Sequence, residues 1–98
     1  MVHTLPDVTA VTGTNVAIYT IDATHPLINA TWVRITSPSG NAASRVGDAN
    51  ITSTRGQIIN ASGEAFFPPS GNTAQYNLAA IFINGTSSQS FGISYGTV

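Results

Sequence analysis

Thr31-Trp32-Val33-Arg34-Ile35-Thr36 is the stretch that decides the fold. In an extended chain successive side chains point to opposite faces, so Val33 and Ile35 share one face while Trp32 and Arg34 share the other. Branched and aromatic residues suit a pleated, half-buried surface. A strand with one dry and one wet face follows, broken sharply by Ser37-Pro38-Ser39-Gly40-Asn41.

Outward from this segment the same signature recurs. Residues 16–21 (VAIYTI) alternate β-branched and aromatic side chains and are stopped by Asp22 to Pro26. Residues 43–46 and 49–52 read as two short strands, or one bulged strand, around Gly47-Asp48, because glycine inside a strand pattern marks a bend. Residues 57–60 and 65–67 predict two more strands, the second ended by Pro68-Pro69. Residues 78–83 (LAAIFI) are apolar on both faces and predict a central strand. Asn84-Gly85 then signals a hairpin to a partner carrying Phe91, Ile93 and Tyr95. No stretch repeats apolar residues at helical spacing, and breakers recur at roughly the 8–12-residue interval of sandwiches and barrels. The expected fold is all-β, a small β-sandwich of jelly-roll type, with a small β-barrel as the alternative. Residues 1–15 read as an extended N-terminal arm and residues 16–98 as a single β-sandwich domain.

Composition narrows the function. Only 7% of residues are charged, against roughly 25% in an average soluble domain. The whole charged set is Arg34, Arg45, Arg55, Asp7, Asp22, Asp48 and Glu64. Three arginines and no lysine are too few cations to neutralise a phosphate backbone, so no nucleic acid partner is expected. No apolar run approaches the length of a membrane span, so no membrane partner is expected either. MVHTLPDVTA lacks the basic head and apolar stretch of a signal peptide, which points to synthesis in a cytoplasm. The Asn-x-Ser/Thr triplets at Asn29, Asn50, Asn60 and Asn84 are what a chain rich in these residues produces by chance. A surface of hydroxyls and amides with a net charge of −1 repels its own copies weakly, which suits dense packing and oligomerisation.

Catalysis finds little footing. There is no cysteine, nucleophile elbow or phosphate loop, and an enzyme is not expected. Asp22 and His25 have the only local spacing that suits a metal, two ligands where zinc needs three or four. Asp48 and Glu64 are the one plausible carboxylate pair, but Asp48 reads better as bracing a turn with Arg45. No catalytic, metal-binding or cofactor-binding residue is assigned, and no cofactor is expected. Trp32, Tyr19, Tyr76 and Tyr95 could line a sugar groove, although aromatics in strand positions are more often packing.

The run from Arg45 to Pro68, RVGDANITSTRGQIINASGEAFFP, is preceded by Trp32-Val33-Arg34-Ile35 and followed by residues 76–83 and a closing Ser94-Tyr95-Gly96. Over about the last two thirds of the chain this pattern resembles small structural proteins of tailed bacteriophages, of the capsid cement (decoration) type. The resemblance implies a virion component on the outer surface of the capsid, made in the host cytoplasm. It implies binding between subunits of the major capsid protein, as a homo-oligomer, dimer or trimer. In such a role Leu5, Pro6 and Val8 of the arm would lie along the shell or a sister subunit. The alternative it implies is a tail, fibre or spike module that binds host-surface glycans.

Overall fold

Ten short strands and one 3-10 turn are seen in the computed structural model, which describes residues 1–71 and 73–98. The strands are β1 (Val2–Thr9), β2 (Val16–Ala17), β3 (Asn29–Ala30), β4 (Trp32–Thr36), β5 (Ser44–Gly47), β6 (Gln57–Ile59), β7 (Glu64–Phe67), β8 (Tyr76–Asn77), β9 (Phe82–Asn84) and β10 (Ser90–Gly96). One antiparallel sheet has the order β1-β10-β4-β7 and the other β2-β9-β5-β6, with β3-β8 as a small two-stranded extension. Leaving out that extension, the eight remaining strands run first-eighth-third-sixth in one sheet and second-seventh-fourth-fifth in the other. This is the double Greek key of a jelly roll. Both sheets have open edges, β1 and β7 in one and β2 and β6 in the other, so the barrel alternative falls.

The dry faces meet in one core. Val33 and Ile35 of β4, Phe91 and Ile93 of β10 and Ala65 of β7 come from the first sheet. Val46, Ile59 and Ile83 of β5, β6 and β9 come from the second. The alternation read from residues 31–36 is realised: Val33 and Ile35 are buried, Arg34 and Thr36 are exposed, and Trp32 is half-buried.

Several local expectations are corrected. Residues 1–15 are not a separate arm, since β1 forms an edge of the first sheet and pairs with β10 from Val2↔Gly96 to Thr9↔Ser90. The register slips between Leu5 and Val8, and this bulge at Pro6-Asp7 hid the alternation. Residues 78–83 are not one strand. Asn77 accepts the Ala79 N–H on its side chain at 3.0 Å and caps a 3-10 turn over Leu78–Ala80 before β9 begins. Asn84-Gly85 does not close a hairpin, because β9 and β10 lie in different sheets and residues 85–89 cross between them. Gly85 is there for space: a Cβ would stand 3.0 Å from Ser44 Oγ and 3.2 Å from Ala10 Cβ. Of residues 16–21 only Val16–Ala17 are strand.

Residues 49–52 form no strand but part of a loop folded back over the second sheet. Buried Ile51 seats this loop, and its Cγ2 lies where a Cβ on Gly47 or Gly56 would be, at 2.7 and 2.9 Å. Gly56 also has φ +119°, a conformation that residues with a side chain rarely adopt. The brace expected between Arg45 and Asp48 is built otherwise. Arg45 Nη1 donates to the Gly56 carbonyl at 2.9 Å, and Asp48 Oδ1 accepts the Asn50 N–H at 2.9 Å. At the far corner the Met1 amino group donates to the Thr97 carbonyl and the Thr97 N–H to the Met1 carbonyl.

Gly56→Ala is expected to destabilise the chain by about 1–3 kcal/mol, from the strained φ and the clash with Ile51 and the Val46 carbonyl. Gly40→Ala, where a Cβ meets open space, is expected to change stability by less than about 0.5 kcal/mol. Urea unfolding of the two variants checks the contrast, and equal midpoints would contradict it.

Candidate functional site

The outer face of the first sheet carries the exposed aromatic surface. Antiparallel partners share a face, so Val2, Gly96 and Trp32 form one row across β1, β10 and β4. Arg34 and Phe66 are partners in the next row, across β4 and β7. Strand β10 contributes only glycines and serines (Ser90, Gly92, Ser94 and Gly96) to this face, which makes it shallow along that strand. Trp32 lies flat across Gly96: a Cβ there would come within 1.9 Å of the indole Nε1. Its ring centroid is 6.3 Å from that of Phe66, and Val2 and Phe66 are both exposed. Val2, Trp32 and Phe66 thus give the sheet an apolar end.

Charge on this face is settled internally. Arg34 Nε donates to Glu64 Oε2 at 2.6 Å, and the guanidinium carbon sits 4.7 Å from the Phe66 ring centroid. Both ionic side chains remain about half exposed, so the pair adds little to stability. What it does is leave the face without an unanswered ion.

The three residues assigned to an interface, Leu5, Pro6 and Val8, lie elsewhere. Leu5 and Val8 turn inward and pack against the core, partly buried, while Pro6 is exposed at the bulge. Together they line a shallow groove of about 270 Å³ with Tyr19, Asp22 and His25 among others. Of the aromatics considered for a sugar groove, Tyr19 and Tyr95 are buried. Tyr76, half-buried like Trp32, donates its hydroxyl to the Pro68 carbonyl at 2.8 Å. Sequence reasoning missed Val2 and Phe66 as companions of Trp32. Phe66 is distant in the chain, and only the β4-β7 register brings the two together.

Asp22 and His25 do meet, with Nδ1 and Oδ1 2.8 Å apart, but among the described residues no third ligand joins them. The same carboxylate oxygen accepts the backbone N–H groups of Thr24 and His25 and the Thr24 hydroxyl, so the pair organises a turn. Glu64 stands on β7 of the first sheet and Asp48 in the loop that follows β5 of the second, each with its own partner. Compared with family models, curated proteins and solved structures, the chain matches none.

The His25 side chain and then the Thr24 N–H hold the Asp22 carboxyl down, from 3.8 to about 2. A carboxyl depressed on folding stabilises the fold above its unfolded pKa and loses that contribution as pH falls through the folded one. The contribution of Asp22 is therefore expected to be present above about pH 4 and gone below about pH 2. An NMR titration of the carboxyl and acid unfolding of Asp22→Asn, which should lack this component, check it. A carboxyl midpoint near 4 would contradict it.

Proposed function

We propose that this chain is a structural virion protein, a cement or decoration protein that binds between major capsid subunits on the outside of a phage head. The observation that carries this reading is the apolar strip of Val2, Trp32 and Phe66 on the outer face of the first sheet. A partner that covers the strip buries aromatic area without stranding an ion, because Arg34 already has Glu64 and Phe66 as neighbours. A surface with no lysine and few charges presents little repulsion to neighbours packed at shell density. The jelly roll is also a fold of viral capsid proteins, support by analogy of architecture alone.

The docking role passes in this reading from the supposed arm to the sheet face. Leu5 and Val8 hold β1 onto the core, and Pro6 adds at most a rim contact. Deleting the first residues would remove an edge strand, so truncation cannot separate docking from folding. A self-associated state, dimer or trimer, remains part of the proposal, with β1 and β7 as the edges of the docking sheet. The fibre or spike alternative loses most of its supposed aromatic platform, since two of its four rings are buried and the hydroxyl of a third is tied back.

Co-sedimentation of the chain with bare phage shells tests the proposal. Trp32→Ala and Phe66→Ser are expected to weaken binding at least about tenfold, as loss of a central aromatic contact does. Circular dichroism should show both variants folded. Undiminished occupancy by both would sink the assignment, as would a copy number in purified virions of a few tens instead of the order of hundreds expected from a symmetric shell.

A further inference from the structure

The other side of the molecule is concave and carries an ion without a partner. On the outer face of the second sheet Asn84, Arg45 and Ile58 stand in one row, since Arg45 pairs with both neighbours across β9 and β6. Two loops rise around the row, residues 10–15 beside β9 and residues 48–56 beyond β5. Asn15 ties them together. Its amide nitrogen donates to the carbonyls of Ala49 at 3.1 Å and Ile51 at 2.9 Å, and its oxygen accepts from Asn84 Nδ2 at 2.9 Å. The half-open cavity between them holds about 650 Å³, inside the range of roughly 300–1,000 Å³ usual for small-molecule sites.

Its lining is mixed, with the hydroxyls of Thr12, Thr52, Ser53 and Thr86 and the amides of Asn15 and Asn84 beside apolar groups. Ile58 is its exposed apolar side chain, and Arg45 is its only charged residue. The bond from Arg45 Nη1 to the Gly56 carbonyl anchors the guanidinium and uses one of its five N–H donors. Among the described residues no carboxylate answers it. Glu64 is paired with Arg34, Asp22 with His25, Asp48 receives the Asn50 N–H, and Asp7 stands at the β1 bulge beside Leu5 and Pro6. Arg45 is half-buried, so it has given up part of its water without gaining a counterion.

We propose that this cavity binds an acidic saccharide. The guanidinium fork takes the sugar carboxylate, and the lining hydroxyls exchange hydrogen bonds with the ring hydroxyls. Ile58 offers its methyl groups to the apolar side of the ring. A densely phosphorylated ligand would need several cations where one is present, and an apolar ligand would leave the guanidinium without a counterion. The site lies on the sheet opposite the docking face and stands independently of it.

An NMR titration of the full 98-residue chain with a uronic-acid disaccharide, and with its carboxyl-reduced neutral counterpart, is the test. The acidic sugar is expected to bind at least about tenfold more tightly, the loss expected when a charged hydrogen-bonding partner is removed. Amide shifts should centre on Asn15, Arg45, Thr52 and Asn84. Arg45→Gln should abolish the preference, and Arg34→Gln on the other sheet should keep it. The comparison of the two sugars on the wild-type chain decides the matter even if Arg45→Gln does not fold. Equal affinity for both sugars, no saturable shift at millimolar ligand, or shifts confined to the first sheet would overturn the proposal. Capture of a Glu-rich peptide at the same residues without capture of the acidic sugar would overturn it too, and would mark the cavity as a protein contact.

Discussion

The dry layer between the two sheets is the constraint on which every other feature depends. The chain has no cysteine, and its ion pairs lie at the surface. Each large apolar side chain in the layer contributes about 1.5–3 kcal/mol, several times the 0–1 kcal/mol or so of an exposed pair such as Arg34 with Glu64. The jelly-roll order also sends almost every successive strand to the opposite sheet. The connecting loops therefore bridge the layer, and their positions follow from where it puts the strand ends. Asn15 can reach Asn84 and the Ala49 carbonyl only because β2, β9 and β5 are held side by side.

The same layer leaves two outer faces of opposite character. The first sheet carries small residues along β10 and an ion pair that cancels itself. The second is walled by loops and holds one guanidinium among neutral groups. With seven charged residues in the chain, the placing of each one matters more than the total. Two of the three glycines in the run from Arg45 to Pro68 serve the second face: Gly47 and Gly56 make room for Ile51, and Ile51 fixes the loop that forms a wall.

Strand alternation was legible wherever one face is dry and the other wet, as in β4, β5 and β7. It failed at β1, where the Pro6-Asp7 bulge resets the period and makes an edge strand look like an unstructured arm. Asn84-Gly85 misled because a tight turn and a crossing between sheets both want small, polar residues. Which one forms depends on partners far away in the chain. The strand expected over residues 78–83 gave way to a side-chain cap, since two alanines offer a sheet little to pack. Both candidate sites were beyond local reading. The aromatic strip needs the β4-β7 register, and the cavity needs three strands and two loops brought together. Arg45 was visible as a residue of interest, but its solitude became apparent only once the carboxylates had been placed.

The mutual hydrogen bonds of Met1 and Thr97 put both ends of the chain at one corner, on neighbouring antiparallel strands. A tension applied between those ends would not shear the two strands along their length. It would load the bonds between β1 and β10 one at a time, beginning at Val2↔Gly96, so β1 would peel away like a zipper while the other strands kept their places. Load between Met1 and Thr97 would thus meet one hydrogen bond after another, whereas pressure across the sheets meets the close-packed interior all at once.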